Sequence, residues 1–163
     1  MATPHNGTPS QYELVAIGRV ERLRDRIRLK VDERYRAALQ GLDGFSHVIV
    51  LWWFDRFDTE ESRSTVTMTP PFEAPELGVF ALKAPMRPNP IGMSVVRLLD
   101  VDVESGTISV PRIDAFDETP ILDIKPYMPA FDRVDGAEVP EWASSWRDSM
   151  PADGVALEPP QGE

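Results

Sequence analysis

FSHVIVLWWF, Phe45 to Phe54, is the stretch whose reading decides the fold class. Only Ser46 and His47 interrupt it, and β-branched and aromatic side chains dominate, the types that suit a pleated backbone. A nearly continuous apolar run of this length predicts a central strand covered on both faces. Trp52 and Trp53 then point to opposite sides, one into the core and one toward a ligand or a second subunit.

Outward from this run, YELVAIGRV (Tyr12 to Val20) and RIRLKV (Arg26 to Val31) read as strands, the second with Ile27, Leu29 and Val31 at period two. Asp32 is placed to cap a short helix over ERYRAALQ, ended by Gly41. Further strands are expected over Ser64 to Thr69, Gly78 to Leu82, Met93 to Glu104 and Thr107 to Ile113, with Ser105-Gly106 as a hairpin turn. Many short strands, punctuated by 16 prolines and 10 glycines, predict a mainly β fold. The expected form is a small closed or partly open β-barrel with one or two short helices. There is no G-x-G, so the dinucleotide-binding α/β fingerprint is excluded.

At 163 residues the chain suits one domain, expected over residues 11–148. Residues 1–10 and the proline-rich acidic stretch 149–163 read as disordered tails. The absence of cysteine excludes disulfides and thiolate metal sites. His5 and His47 share no plausible face, so no metal site is expected, and a serine hydrolase would have only His47 as its base. No leader-like segment or bilayer-length apolar run is seen, which predicts a cytoplasmic protein away from membranes. A net charge of −10 argues against an unaided grip on an RNA backbone. Arg19, Arg22, Arg24, Arg26 and Arg28 read as a solvated strand edge of alternating charge rather than an RNA-contact stripe.

Two segments carry candidate chemistry. In RPNPIG (Arg87 to Gly92), Pro88 and Pro90 fix their own φ and hold the preceding residues extended, so Arg87 and Asn89 are displayed on a stiff backbone. Gly92 allows a turn or the close approach of a ligand. In TPILDIKPY (Thr119 to Tyr127), Asp123, Lys125 and Tyr127 alternate at period two and share one strand face. That face is either a solvated ion pair or a catalytic surface.

Three runs, GLDGFSHVIVLWWF (Gly41 to Phe54), GVFALKAPMRPNPIGMS (Gly78 to Ser94) and DETPILDIKPYMP (Asp117 to Pro129), together resemble the TsaA-like, or TrmO, family. The resemblance implies a small β-barrel that binds S-adenosylmethionine, usually as a homodimer. In the best-known members it methylates N6 of threonylcarbamoyladenosine beside the tRNA anticodon. Carried over by position, it implies cofactor contacts at Asp55, Arg56, Lys83, Arg87, Asn89, Met93, Asp117, Glu118, Thr119 and Pro120. Asp123 is then the expected base, with Lys125 and Tyr127 positioning it or the substrate.

This sequence departs from the family pattern at several places. Asp55-Arg56 stand where His-Gln or His-Lys are common, and Glu118 replaces a turn glycine, where a left-handed backbone would cost of order 1 kcal/mol. The N-terminal Pro-Arg-Gln loop of the tRNA enzymes has no counterpart. The missing loop and the net charge disfavour tRNA as partner and keep two alternatives open: N-methyl transfer to a small molecule, and cofactor binding without catalysis.

Overall fold

A computed structural model describes residues 12–155 of the chain, so the expected tail over 1–10 and the last part of the other lie outside the described residues. Nine strands are formed: β1 Gly18–Arg22, β2 Ile27–Val31, β3 His47–Trp53, β4 Thr67–Met68, β5 Leu77–Gly78, β6 Ile91–Arg97, β7 Asp100–Asp102, β8 Thr107–Val110 and β9 Pro120–Pro126. Two short helices, α1 Glu60–Ser64 and α2 Pro129–Asp132, and several 3-10 turns complete the fold. Seven strands make one antiparallel sheet in the order β6-β3-β9-β1-β2-β8-β7, while β4 and β5 pair separately.

β6 and β7 occupy opposite edges of that sheet, yet only Leu98 and Leu99 separate them in sequence. With consecutive Cα atoms about 3.8 Å apart, the two edges must meet at this corner. Leu98 N–H donates to the Ser46 carbonyl at 2.8 Å and Leu99 N–H to the Ser109 carbonyl at 2.9 Å, so adjacent residues stitch the two edges together. The sheet is therefore curled back on itself. A closed ring is not found, because β6 and β7 form no ladder with each other.

Val20, Leu29, Val48, Val50, Val96, Ile108, Ile113 and Ile121 fill the concave side with no exposure. β3 is internal, between the edge strand β6 and β9 and not at the centre of the sheet, and its cover is one-sided: Val48, Val50 and Trp52 are buried while Ile49, Leu51 and Trp53 are partly open. The outward residues are covered only at the ends of the strand, Trp53 by Asp58 and Arg63 and His47 by the Ala152 carbonyl.

Other expectations shift locally. The helix after Asp32 is a 3-10 turn over Glu33–Leu39 without a side-chain cap, closed by Gly41 at φ 81°. The strand expected over Gly78 to Leu82 is the two-residue β5 followed by a turn over Val79–Ala81. The single long strand expected from Met93 to Glu104 is β6 and β7, broken at the edge-crossing corner. The turn at Ser105-Gly106 is present, with Gly106 at φ 69°.

The start of the acidic C-terminal stretch rests on the sheet. The Ala152 carbonyl lies 3.0 Å from Nε2 of His47, Asp153 pairs with Arg97 at 3.2 Å, and Gly154 is buried. Among the described residues no helix is long and apolar enough to cross a membrane.

Candidate functional site

Because β6 and β9 both run antiparallel to β3, their first residues lie at its C-terminal end: Ile91 faces Trp53 and Ile121 faces Trp52. Strand direction alone thus gathers the RPNPIG loop before β6, the DETP turn before β9, and Asp55-Arg56 just after β3. Local bonds fix the arrangement. Phe54 N–H donates to the Pro90 carbonyl at 2.8 Å, and the Arg56 guanidinium lies over the Phe116 ring at 4.2 Å.

Helix α1 supports the RPNPIG loop from the side, through residues the sequence reading passed over. Thr59 caps the helix by accepting the Ser62 N–H, a pattern legible in TEES. The Asp58 carboxylate accepts from Arg63 and from Nε1 of Trp53, the latter at 2.9 Å, and Arg63 also donates to the Pro88 carbonyl at 3.4 Å. Those bonds, Arg63 first and Trp53 second, hold the Asp58 carboxyl below its ordinary range.

Several expected cofactor contacts are engaged within the protein. Arg87 turns back on its own loop and donates to the carbonyls of Leu82 and Ala84 at 3.2 and 3.4 Å. Asp117 accepts the Arg22 N–H at 2.7 Å, and Thr119 is buried, its carbonyl accepting from Val20 N–H. Pro120 opens β9. Asp55, Lys83 and Asn89 are exposed and make no ion pair among the described residues, and Met93 is half exposed on the outer face of β6. Gly92 admits no ligand: the close neighbour is the Trp52 ring.

Glu118 adopts φ 63°, the only positive value at a non-glycine position among the described residues. The turn therefore keeps its left-handed shape despite the side chain, and the Arg19–Glu118 ion pair at 3.3 Å is too exposed to offset much of the strain. Glu118→Gly is expected to stabilise the protein by about 1 kcal/mol in a denaturant melt. An unchanged or lower midpoint would mean that the turn is not strained.

On the outer face, Asp123 lies opposite Leu51 and Lys125 opposite Ile49, while Met93 and Val95 of β6 flank the same two residues from the other side. A bulge at Leu122 sets this register. Asp123 and Lys125 pair at 2.6 Å, and that hydrogen bond followed by the Asp123 charge holds the Lys125 ammonium protonated above its usual range. At about 3.3 Å per residue, Asp123 stands about 7 Å along the sheet from the Trp53 end. Tyr127 is not brought there: its ring meets His47 at 6.4 Å, about 20 Å away at the far end of β3.

The arginine cluster is largely spent on the protein itself. Arg19 pairs with Glu21 and Glu118, Arg26 with Asp25, and Arg22 donates to the carbonyls of Ala115 and Ile113 at 2.7 and 2.6 Å.

A curled antiparallel sheet that converges a Pro-x-Pro loop, an acidic turn and an exposed strand-end pair defines a mainly β, TrmO-like domain. A crystal structure of TrmO superposes with a TM-score of 0.64 at 32% identity, covering 80% of this chain and 64% of that one. The chain belongs to the tRNA-methyltransferase O N-terminal domain family, whose model it matches over residues 2–133.

Among curated relatives, an S-adenosyl-L-methionine-binding protein of Archaeoglobus fulgidus is 38% identical over 110 residues, 68% of this chain and 75% of that protein. The tRNA (adenine(37)-N6)-methyltransferase of Escherichia coli K12 is 36% identical over 124 residues, 74% of this chain and half of the enzyme. A second Archaeoglobus fulgidus relative, a probable S-adenosyl-L-methionine-binding protein, is spanned over only 30% of its length.

Proposed function

We propose that this chain binds S-adenosylmethionine at the C-terminal end of β3 and methylates N6 of threonylcarbamoyladenosine in tRNA. The observation that carries the reading is the convergence of three segments, RPNPIG, DETP and Asp55-Arg56, beside an exposed carboxylate on the neighbouring strand. Family membership and the names of the two relatives support the cofactor and the reaction class.

The free groups at this end fit the cofactor's chemistry. Lys83 suits its carboxylate, Asp55 its ammonium group and Asn89 the ribose hydroxyls, while Met93 and Leu51 offer an apolar strip for the remainder. Arg87 and Asp117 act one step back, as braces that hold the two loops in shape. When bound, S-adenosylmethionine supplies an already activated methyl group on its sulfonium sulfur. The protein's work is then to orient the acceptor nitrogen, exclude water and take one proton, which Asp123 does while charged Lys125 fixes its direction.

Transfer to a small nitrogen nucleophile is the second reading, favoured by the net charge of −10 and by an arginine cluster in which Arg19, Arg22 and Arg26 are engaged within the protein. Calorimetric titration with S-adenosylmethionine, followed by incubation with tRNA carrying unmethylated threonylcarbamoyladenosine, separates the readings. Micromolar binding, about −8 kcal/mol, with methylated nucleoside formed supports the tRNA reaction. Binding with no tRNA product moves the acceptor to a small molecule or leaves a cofactor-binding protein, and no binding overturns the site.

The same reading includes a homodimer. Ile91 and Met93 expose apolar surface on β6, an edge strand of the sheet, beside half-open Leu51 and Trp53. Two-fold pairing over this face covers the edge and completes the site near the boundary. Sedimentation at micromolar concentration is expected to give twice the 18.3 kDa chain mass. A monomer retained with cofactor present refutes it.

A further inference from the structure

Away from the end of β3, Phe72, Trp142 and Trp146 bring the loop before β5 against the C-terminal segment. Phe72 and Trp142 stack with ring centres 5.8 Å apart at 23°, and Trp146 stands nearly at right angles to both, 5.1 and 5.5 Å away at 78° and 79°. Two ring planes therefore form a corner, and it is open: Phe72 is 38% and Trp146 53% exposed. Glu73 and Glu141 line the same recess, of about 770 Å³. Neither carboxylate is in an ion pair among the described residues.

Two exposed aromatic rings backed by half-buried Trp142 are costly unless something covers them, and the chemistry of the recess selects what. Ring faces are negative and attract cations, and the two carboxylates reinforce the sign. Aromatic faces are poor partners for strongly hydrated N–H groups, so a plain ammonium loses more hydration here than one whose charge is spread over methyl groups. We propose that Phe72, Trp142 and Trp146, rimmed by Glu73 and Glu141, form a binding site for a methylated ammonium head group. The recess shares no residue with the RPNPIG loop, the DETP turn or Asp55-Arg56, and the proposal does not depend on methyl transfer.

The test follows the indole N–H signals of the full chain by NMR during titration with choline, and in parallel with its neutral carbon isostere 3,3-dimethylbutan-1-ol. Trp52 and Trp53, bonded to Ser94 and Asp58, serve as internal controls. Choline is expected to shift the Trp142 and Trp146 signals saturably, with a dissociation constant on the order of 1 mM. The neutral alcohol should bind about tenfold more weakly, the ratio a cation–π contribution of this size gives. Trp146→Leu, which keeps apolar bulk but removes a ring face, should abolish the preference for the cation. Glu73→Gln combined with Glu141→Gln keeps every ring and should weaken choline several-fold. Equal affinity for the alcohol, a preference that survives in a folded Trp146→Leu protein, or no saturable shift would each overturn the proposal and leave the rings as a clasp for the C-terminal segment.

Discussion

Replacing Gly92 by alanine is expected to destabilise the protein by about 3 kcal/mol, the upper range for over-packing a well-filled site. Gly92 faces Trp52 across the β3–β6 ladder, and a Cβ added there would stand 2.5 Å from Cε2 and 2.6 Å from Cζ2 of the indole. The ring has little room to retreat. It is 4% exposed, meets Phe54 edge to face with centres 4.4 Å apart, and donates from Nε1 to the buried Ser94 hydroxyl at 3.0 Å. Displacing it also disturbs the bond from Phe54 N–H to the Pro90 carbonyl, so the RPNPIG loop and cofactor affinity should suffer together. Thermal melts check the first point, with a fall of about 6–12 °C for a chain of this size. Trp52→Leu makes room for the new methyl group, so the double variant should lose less stability than the two single losses added. Wild-type melting in Gly92→Ala would mean that the indole does not lie against this position.

This same pair shows what was legible beforehand. Alternation and β-branched side chains marked the strands, so the mainly β class, the pairing of β3 on both sides and the divergence of Trp52 from Trp53 were readable from local pattern, though β3 lies next to the edge and not at the centre. Gly92 read as a turn or the close approach of a ligand, whereas it lies inside β6 against the Trp52 ring, because the neighbour is forty residues away in sequence and contacts of that kind have no local signature. The sharing of one face by Asp123 and Lys125 followed from period two. The remoteness of Tyr127 from the RPNPIG end did not, since distance along β9 acquires meaning only once β3 fixes which end carries the loops. Arg87 and Asp117 illustrate the same limit: their types suit a polar ligand, and only the fold shows that Arg87 also bonds carbonyls of its own loop and Asp117 the backbone N–H of Arg22 at the end of β1. Glu118 is the counter-example: a glycine's replacement there implied either a different turn or a strained one, and φ 63° is the second.

Asp123→Asn is expected to lower methyl transfer by about 10² to 10⁴-fold, the usual span for loss of a general base, while leaving cofactor affinity unchanged. The substitution keeps the size of the side chain and an acceptor oxygen for the Ile124 N–H at 2.9 Å, so the local fold of β9 is preserved. What is lost is the group able to hold the proton released by the acceptor nitrogen. Partial exposure at a strand face, with Leu51 opposite and Met93 beyond it, gives Asp123 access to a substrate lying over the apolar strip. Calorimetry with S-adenosylmethionine and a single-turnover methylation assay separate binding from chemistry. Tyr127→Phe is the matched comparison. About 20 Å from the loops within one chain, its hydroxyl is expected to have little effect on the rate. A loss equal to that of Asp123→Asn would mean that a second subunit carries Tyr127 into the site. Full transfer by Asp123→Asn, with normal cofactor binding, would remove Asp123 as the base and return the Asp123–Lys125 pair to the role of a solvated ion pair on the sheet surface.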